Sequence, residues 1–239
     1  MVGEIKWYED RLKMALEEFK KDLKEDKTFK SDETKTILQE LKERRELVNI
    51  INEKLKDNEK IAKLEIEEMK EIFRLILGWK KKSLNLWPEM RRYLDSDYLK
   101  KKQCELREFF KKIVQYGINH NEKDELPTIE GFRVASASQL LTFRYPDKFY
   151  TVSLPAEQGI KELLDEKEIN KVPSKSDPKD YPKWRPIFEY LRVRINEIYK
   201  ELRDEVPKEY QDLFNREADF LDVNLFLWWL FERNYAGQL

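Results

Sequence analysis

Only 6 glycines interrupt this chain of 239 residues, and that scarcity limits what it can fold into more than any other feature. Sandwiches and barrels need turn residues every few positions, whereas so few Gly and only 9 Pro leave long stretches suited to helices. The 40% of charged residues supply solvent faces for such helices. The expected class is all-α, mainly helical with at most a short strand or two. An N-terminal helical hairpin or coiled-coil-like layer, residues 1–78, packs on a multi-helix domain, residues 79–239. At this length either one large domain or two small ones can bury a proper core.

Periodicity fills in that outline. Trp7, Leu12, Ala15, Leu16, Phe19 and Leu23 form one helical stripe. Ser31 and Asp32 can cap a second helix. In it Leu41, Val48, Leu55, Ala62, Met69 and Ile76 recur every seven residues, with Ile37, Ile51 and Ile72 on an intermediate seam. Arg44, Asn58 and Glu65 interrupt the seam, and Asp57-Asn58 makes a credible turn, so two antiparallel helices meeting near residue 57 are favoured over one rod. Ser96 or Asp97 opens a helix reaching Tyr116, with Gly117 as its stop. Phe132 to Leu141 reads as a helix ending before Pro146, Phe149 to Val152 as a short extended segment, and Pro155 starts a helix to about Asp165. Pro173, Pro178, Pro182 and Pro186 mark residues 171–186 as a linker or surface loop. Ile187 to Asp204 is again periodic. Asp222 can cap a last helix whose run Phe226-Leu227-Trp228-Trp229-Leu230-Phe231 requires burial on more than one side.

The chemistry available to the chain is narrow. Neither a Walker loop nor a dinucleotide fingerprint occurs, so nucleotide hydrolysis by this chain alone is not expected. His120 is the only His and Cys104 the only Cys, which excludes zinc sites and His-based triads. Cys104 reads as an inert, partly buried thiol, and His120 as an exposed loop residue. Ser136 and Ser138 lie among small apolar residues with no base nearby, which fits helix packing. Acid pairs such as Glu17-Glu18 and Glu67-Glu68 read as solvated faces. No catalytic residue, metal or cofactor is expected. The start of the chain lacks the apolar run of a signal peptide and no stretch approaches a membrane span, so a cytoplasmic protein is expected. The abundance of Lys and Glu fits a thermophilic source.

One region carries a charge bias. Residues 79–112 hold eleven Lys or Arg against five Asp or Glu, a net of +6, in a chain whose net charge is −1. Lys80, Lys81, Lys82, Arg91, Arg92, Lys100, Lys101 and Lys102 are interleaved there with Trp79, Trp87, Tyr93, Tyr98, Phe109 and Phe110. Cations neutralise phosphates and rings offer stacking surfaces, so this is the candidate nucleic-acid-binding segment. The competing reading is a solvated face whose rings point inward.

The run Leu140-Leu141-Thr142-Phe143-Arg144-Tyr145-Pro146-Asp147-Lys148-Phe149-Tyr150-Thr151-Val152-Ser153, followed by Ile160-Lys161, resembles a block upstream of the AAA+ motor in McrB-like GTPase restriction proteins. Gly131 to Ser138 and Phe226 to Leu230 are compatible with the same leader regions. The resemblance implies a DNA-recognition module of a restriction or antiviral defence system, non-catalytic by itself. Its motor would lie downstream or in trans, since the chain stops without a Walker loop and looks like a fragment or a stand-alone relative. Arg133, Arg144 and Lys148 join the candidate phosphate contacts, while Phe143, Pro146 and Phe149 look like packing residues. The alternative is a helical scaffold, an oligomerisation or protein-docking module without nucleic-acid binding. Expected partners are DNA and the AAA+ motor, with a homo-oligomer as a further option and no membrane.

Overall fold

A computed structural model of the chain, describing residues 5–30, 32–77, 92–119 and 124–235, is mainly α-helical with one two-stranded ribbon. Helix α1 (Glu9–Lys24) buries Leu12, Ala15, Phe19 and Leu23 along one face. Strands β1 (Thr28–Phe29) and β2 (Asp32–Thr36) then pair antiparallel. The ribbon displaces the expected helix start. Thr36 is the N-cap of α2 (Ile37–Lys54): its hydroxyl accepts from Gln39 N at 3.2 Å, and Gln39 Oε1 accepts from Thr36 N at 3.0 Å. Ser31 lies outside the described residues.

The heptad-like stretch does not form a rod. Leu41, Leu55, Met69 and Ile76 are buried, but Val48 is only partly so and Ala62 is exposed. The chain breaks after α2, after α3 (Asn58–Ala62), and before α4 (Ile66–Leu77). Asp57 opens α3 by accepting from Lys60 N at 2.8 Å, and Glu68 reaches back to Glu65 N at 3.0 Å. Asn58 and Glu65 therefore mark helix starts, not polar seam positions. Arg44 is buried and answered by Glu40 at 3.1 Å and Asn224 at 2.9 Å.

A 3₁₀ turn (Arg92–Leu94) leads into α5 (Ser96–Asn119). Asp95 caps it, one residue ahead of expectation, with Oδ1 accepting from Tyr98 N at 2.7 Å. The helix runs past Gly117, which is no stop. A Cβ there would lie 2.0 Å from the Tyr145 ring, so the glycine allows the chain after α6 (Val134–Arg144) to approach α5. Phe149 to Val152 is buried irregular chain, and α7 (Leu154–Leu163) starts at Ser153 with Pro155 in its first turn.

The Pro-rich segment is a second correction, because it is no linker. Its 3₁₀ turn Pro178–Trp184 holds Tyr181 and Trp184 in the core. Tyr150 and Tyr181 stack at 4.7 Å, and each hydroxyl donates to the other's carbonyl, at 2.7 and 2.9 Å. The prolines fix turns above these anchors. Next come α8 (Arg185–Leu202), a 3₁₀ turn (Lys208–Phe214) and α9 (Phe220–Tyr235). Asp219 rather than Asp222 caps α9, accepting from Leu221 N at 2.9 Å, while Asp222 accepts from Asp219 N at 2.8 Å.

Helix α9 lies at the centre, packed on α7 and α8. Its buried Phe226, Leu227 and Trp229 are each worth roughly 1.5–3 kcal/mol of burial. Phe19 of α1 sits 5.2 Å from Phe226 and 5.1 Å from Trp229, ring to ring. One hydrophobic cluster runs from Leu12 to Leu230, and the boundary near residue 78 does not divide it. Among the described residues no helix is long and apolar enough to cross a membrane.

Candidate nucleic-acid interface

Two buried rings bring two arginines together. Tyr93, in the 3₁₀ turn, and Phe132, just before α6, are both buried, with ring centroids 5.9 Å apart. Phe73 of α4 holds both, at 4.7 Å from Tyr93 and 5.4 Å from Phe132. Neighbours in a 3₁₀ turn or along extended chain point in different directions, and Arg92 and Arg133, next to these anchors, are exposed. A tight turn fixes the second arginine. Ile129 and Phe132 exchange backbone hydrogen bonds at 3.2 and 3.0 Å, and Gly131 at φ 75° takes the left-handed position that favours glycine. The Tyr93 hydroxyl donates to the Glu130 carbonyl, fastening that turn to the 3₁₀ turn. Burial chiefly drives the Tyr93 phenol well above its usual pKa, so it stays a proton donor.

The result is a cleft of about 460 Å³ lined by Arg92, Tyr98, Glu130, Gly131 and Arg133, among others. Tyr98 is half-buried in the first turn of α5, edge-on to Tyr93 at 5.5 Å. Neither the Arg92 nor the Arg133 side chain has an ion-pair or hydrogen-bond partner among the described residues. Arg133 is also the N-cap of α6, which begins with no side-chain cap, so the positive end of that helix adds to the two guanidiniums. Among the described residues Glu130 supplies the one carboxylate of the lining.

Among the other described cations of the basic segment, three are paired with acids. Lys100 faces Asp97 at 3.6 Å, Lys102 pairs with Glu105 at 2.7 Å, and Lys111 with Glu108 at 2.6 Å. The bond to Glu105 is the main cause raising the Lys102 pKa. Arg107 donates to the Leu64 carbonyl at 2.7 Å. Lys101 and Lys112 are exposed and unpaired among the described residues. Lys101 stands three residues beyond Tyr98, one turn along α5 from the cleft. Tyr93, Phe109 and Phe110 point into the core, leaving Tyr98 as the part-exposed ring among the described residues of this segment. Lys80, Lys81, Lys82, Arg91, Trp79, Trp87 and His120 lie outside the described residues.

Arg144 and Lys148 are not brought to the cleft. They follow the far end of α6, about 16 Å from Arg133 by helical rise. Arg144 donates to the Leu55 and Lys56 carbonyls at 3.2 Å each and to Asn52, and stacks on Tyr145 at 4.6 Å. It thereby caps the end of α2. Lys148 is exposed. In the resemblance block Phe143 and Phe149 are buried.

A second group of arginines is tied up by acids. Arg45 and Arg216 bracket Asp219 and Asp222: Arg45 reaches Asp222 at 2.6 Å, Arg216 grips it at 2.9 Å through both terminal nitrogens, and the Tyr199 hydroxyl donates to it at 2.9 Å. Asp222 is fully buried; these arginines outweigh burial and hold its carboxyl well below the usual range. Burial, with the Asp222 charge, raises Asp219 to about 6. The knot ties α2 and the segment before α9 together and lines neither surface depression. A depression of about 600 Å³ between Lys35, Lys42, Glu43 and Glu46 mixes opposite charges, and Lys35 is paired with Glu40 at 2.7 Å. Ser138 donates to the Ala135 carbonyl and accepts from Val152 N, both at 3.0 Å. Cys104 is exposed, contrary to the expected part-burial. Among the described residues no three His, Cys, Asp or Glu side chains are grouped to hold a metal.

Sequence reasoning named Arg92 and Arg133 in separate segments but not their meeting, and it passed over Glu130. The usable signal was a pair of Arg–aromatic neighbours, Arg92-Tyr93 and Phe132-Arg133, the second beside a Glu-Gly turn. No family model, curated protein or solved structure matches the chain.

Proposed function

We propose that the chain is a DNA-recognition module, non-catalytic by itself, that grips phosphates with Arg92, Arg133 and Lys101. The observation that carries this reading is the convergence of two unpaired guanidiniums on one cleft beside the uncapped start of α6. Two exposed, unpaired guanidiniums on one cleft are free to take an anion, and phosphate suits the guanidinium fork. The resemblance to McrB-like leader regions supplies the setting: a cytoplasmic restriction or defence system whose AAA+ motor lies downstream or in trans. The test is fluorescence anisotropy with a labelled DNA duplex across a salt series. Binding should weaken with salt, and Arg92→Glu with Arg133→Glu should reduce the log–log salt slope by about 2. No binding at low salt, or an unchanged slope, refutes the reading.

A second reading, a scaffold without nucleic-acid binding, draws on the pairing of Lys100, Lys102 and Lys111 with acids on their own helix. It expects no DNA affinity and an oligomer visible by light scattering.

A further inference from the structure

We infer that the cleft takes an unpaired nucleotide, so that the module prefers single-stranded over duplex DNA, with Glu130 favouring a base that carries an amino group. This rests on the nucleic-acid reading above and sharpens it. A duplex buries its base faces against one another and presents a convex backbone. Such a backbone can meet Arg92, Arg133 and Lys101, which stand exposed. It cannot lay a base on Tyr98, which is half-buried in the cleft that the two arginines also line. A single strand can splay a base into that concavity, and about 460 Å³ lies in the range of small-ligand pockets.

The polar lining divides accordingly. Arg92 and Arg133 are placed for the phosphate on either side of the nucleotide, and Tyr98 offers a ring for stacking, worth about 1–3 kcal/mol per base. Glu130 would repel a second phosphate. Its carboxylate oxygens call for a donor, which the exocyclic amino group of adenine, cytosine or guanine supplies. Thymine offers no amino group. The fixed turn sets Glu130 in place: Gly131 carries the left-handed φ and the Tyr93 hydroxyl holds the Glu130 carbonyl.

Anisotropy titrations of the full chain with labelled oligo-dA, oligo-dT and a mixed-sequence duplex of equal length provide the test. The expected order is oligo-dA, then oligo-dT, then duplex, with single strand about tenfold tighter than duplex. Tyr98→Leu, with folding checked by circular dichroism, should lower oligo-dA affinity about tenfold. Glu130→Gln, at a residue outside the core, should narrow the dA-over-dT difference. Equal or tighter duplex binding, or single-strand affinity unmoved by a folded Tyr98→Leu, overturns the inference while phosphate gripping stands. No binding to any of the three overturns both.

Discussion

Asp222 is the fully buried carboxylate on which Arg45, Arg216 and the Tyr199 hydroxyl converge. With the carboxylate gone, the part-buried Arg45 and Arg216 share the Asp219 carboxylate alone and the Tyr199 hydroxyl loses its acceptor. Breaking one side of a buried ion cluster typically costs about 3–5 kcal/mol. Asp222→Asn should therefore lower urea stability at neutral pH by about that amount, and a loss under about 1 kcal/mol would show the network to be idle. Acid separates the two carboxyls. Asp222 has a depressed folded pKa, so its contribution is complete at neutral pH and is lost as the pH falls below the ordinary carboxylate value of about 3.9. Asp219 is raised to about 6, so its ionisation opposes folding above that pH and the penalty is relieved as the pH falls from there toward about 4. Stability should hold or rise slightly between those limits and fall below them. The acids and arginines were visible in the sequence, but nothing local pairs residue 45 with residue 222.

Helix ends show how far local rules reach. Thr36-x-x-Gln39 is a capping box in the sequence, yet Ser31 and Asp32 are equally plausible caps until β1 pairs with β2 and fixes the start of α2. The end of α2 depends wholly on a distant residue, since Arg144 of α6 supplies the donors for the Leu55 and Lys56 carbonyls. Those are charge-assisted bonds on a part-exposed group. Arg144→Ala should cost about 1–2 kcal/mol and raise amide exchange in the last turn of α2, whereas Lys148→Ala should change neither. Equal protection in wild type and Arg144→Ala would remove the capping role. Arg144 is thus an instance in which a cation expected on chemical grounds at a phosphate is engaged by the protein's own carbonyls.

Across the whole molecule the question is whether residues 1–78 fold apart from the rest. Phe19 packs on Phe226 and Trp229, and the Trp229 indole donates to Asp22 at 3.1 Å. Arg144 caps α2, and Arg45 pairs with Asp222 at 2.6 Å. With so many core contacts crossing the boundary, urea unfolding should be one transition, coincident by far-ultraviolet circular dichroism and tryptophan fluorescence. Two separated transitions would show independent units.

By itself the sequence determined the helical class, the centrality of α9 and the absence of familiar nucleotide and zinc motifs. Those properties depend on short-range periodicity, on apolar runs and on residue types, all of which are local. Only the tertiary structure decided that the prolines of 171–186 cover buried rings, that most lysines of 100–111 answer acids on their own helix, and that Arg92 and Arg133 line one cleft. Each of these is a pairing between distant or differently oriented groups. Such pairings exist once the apolar anchors beside them, here Tyr93 and Phe132, have packed together and left the charged neighbours facing one cleft.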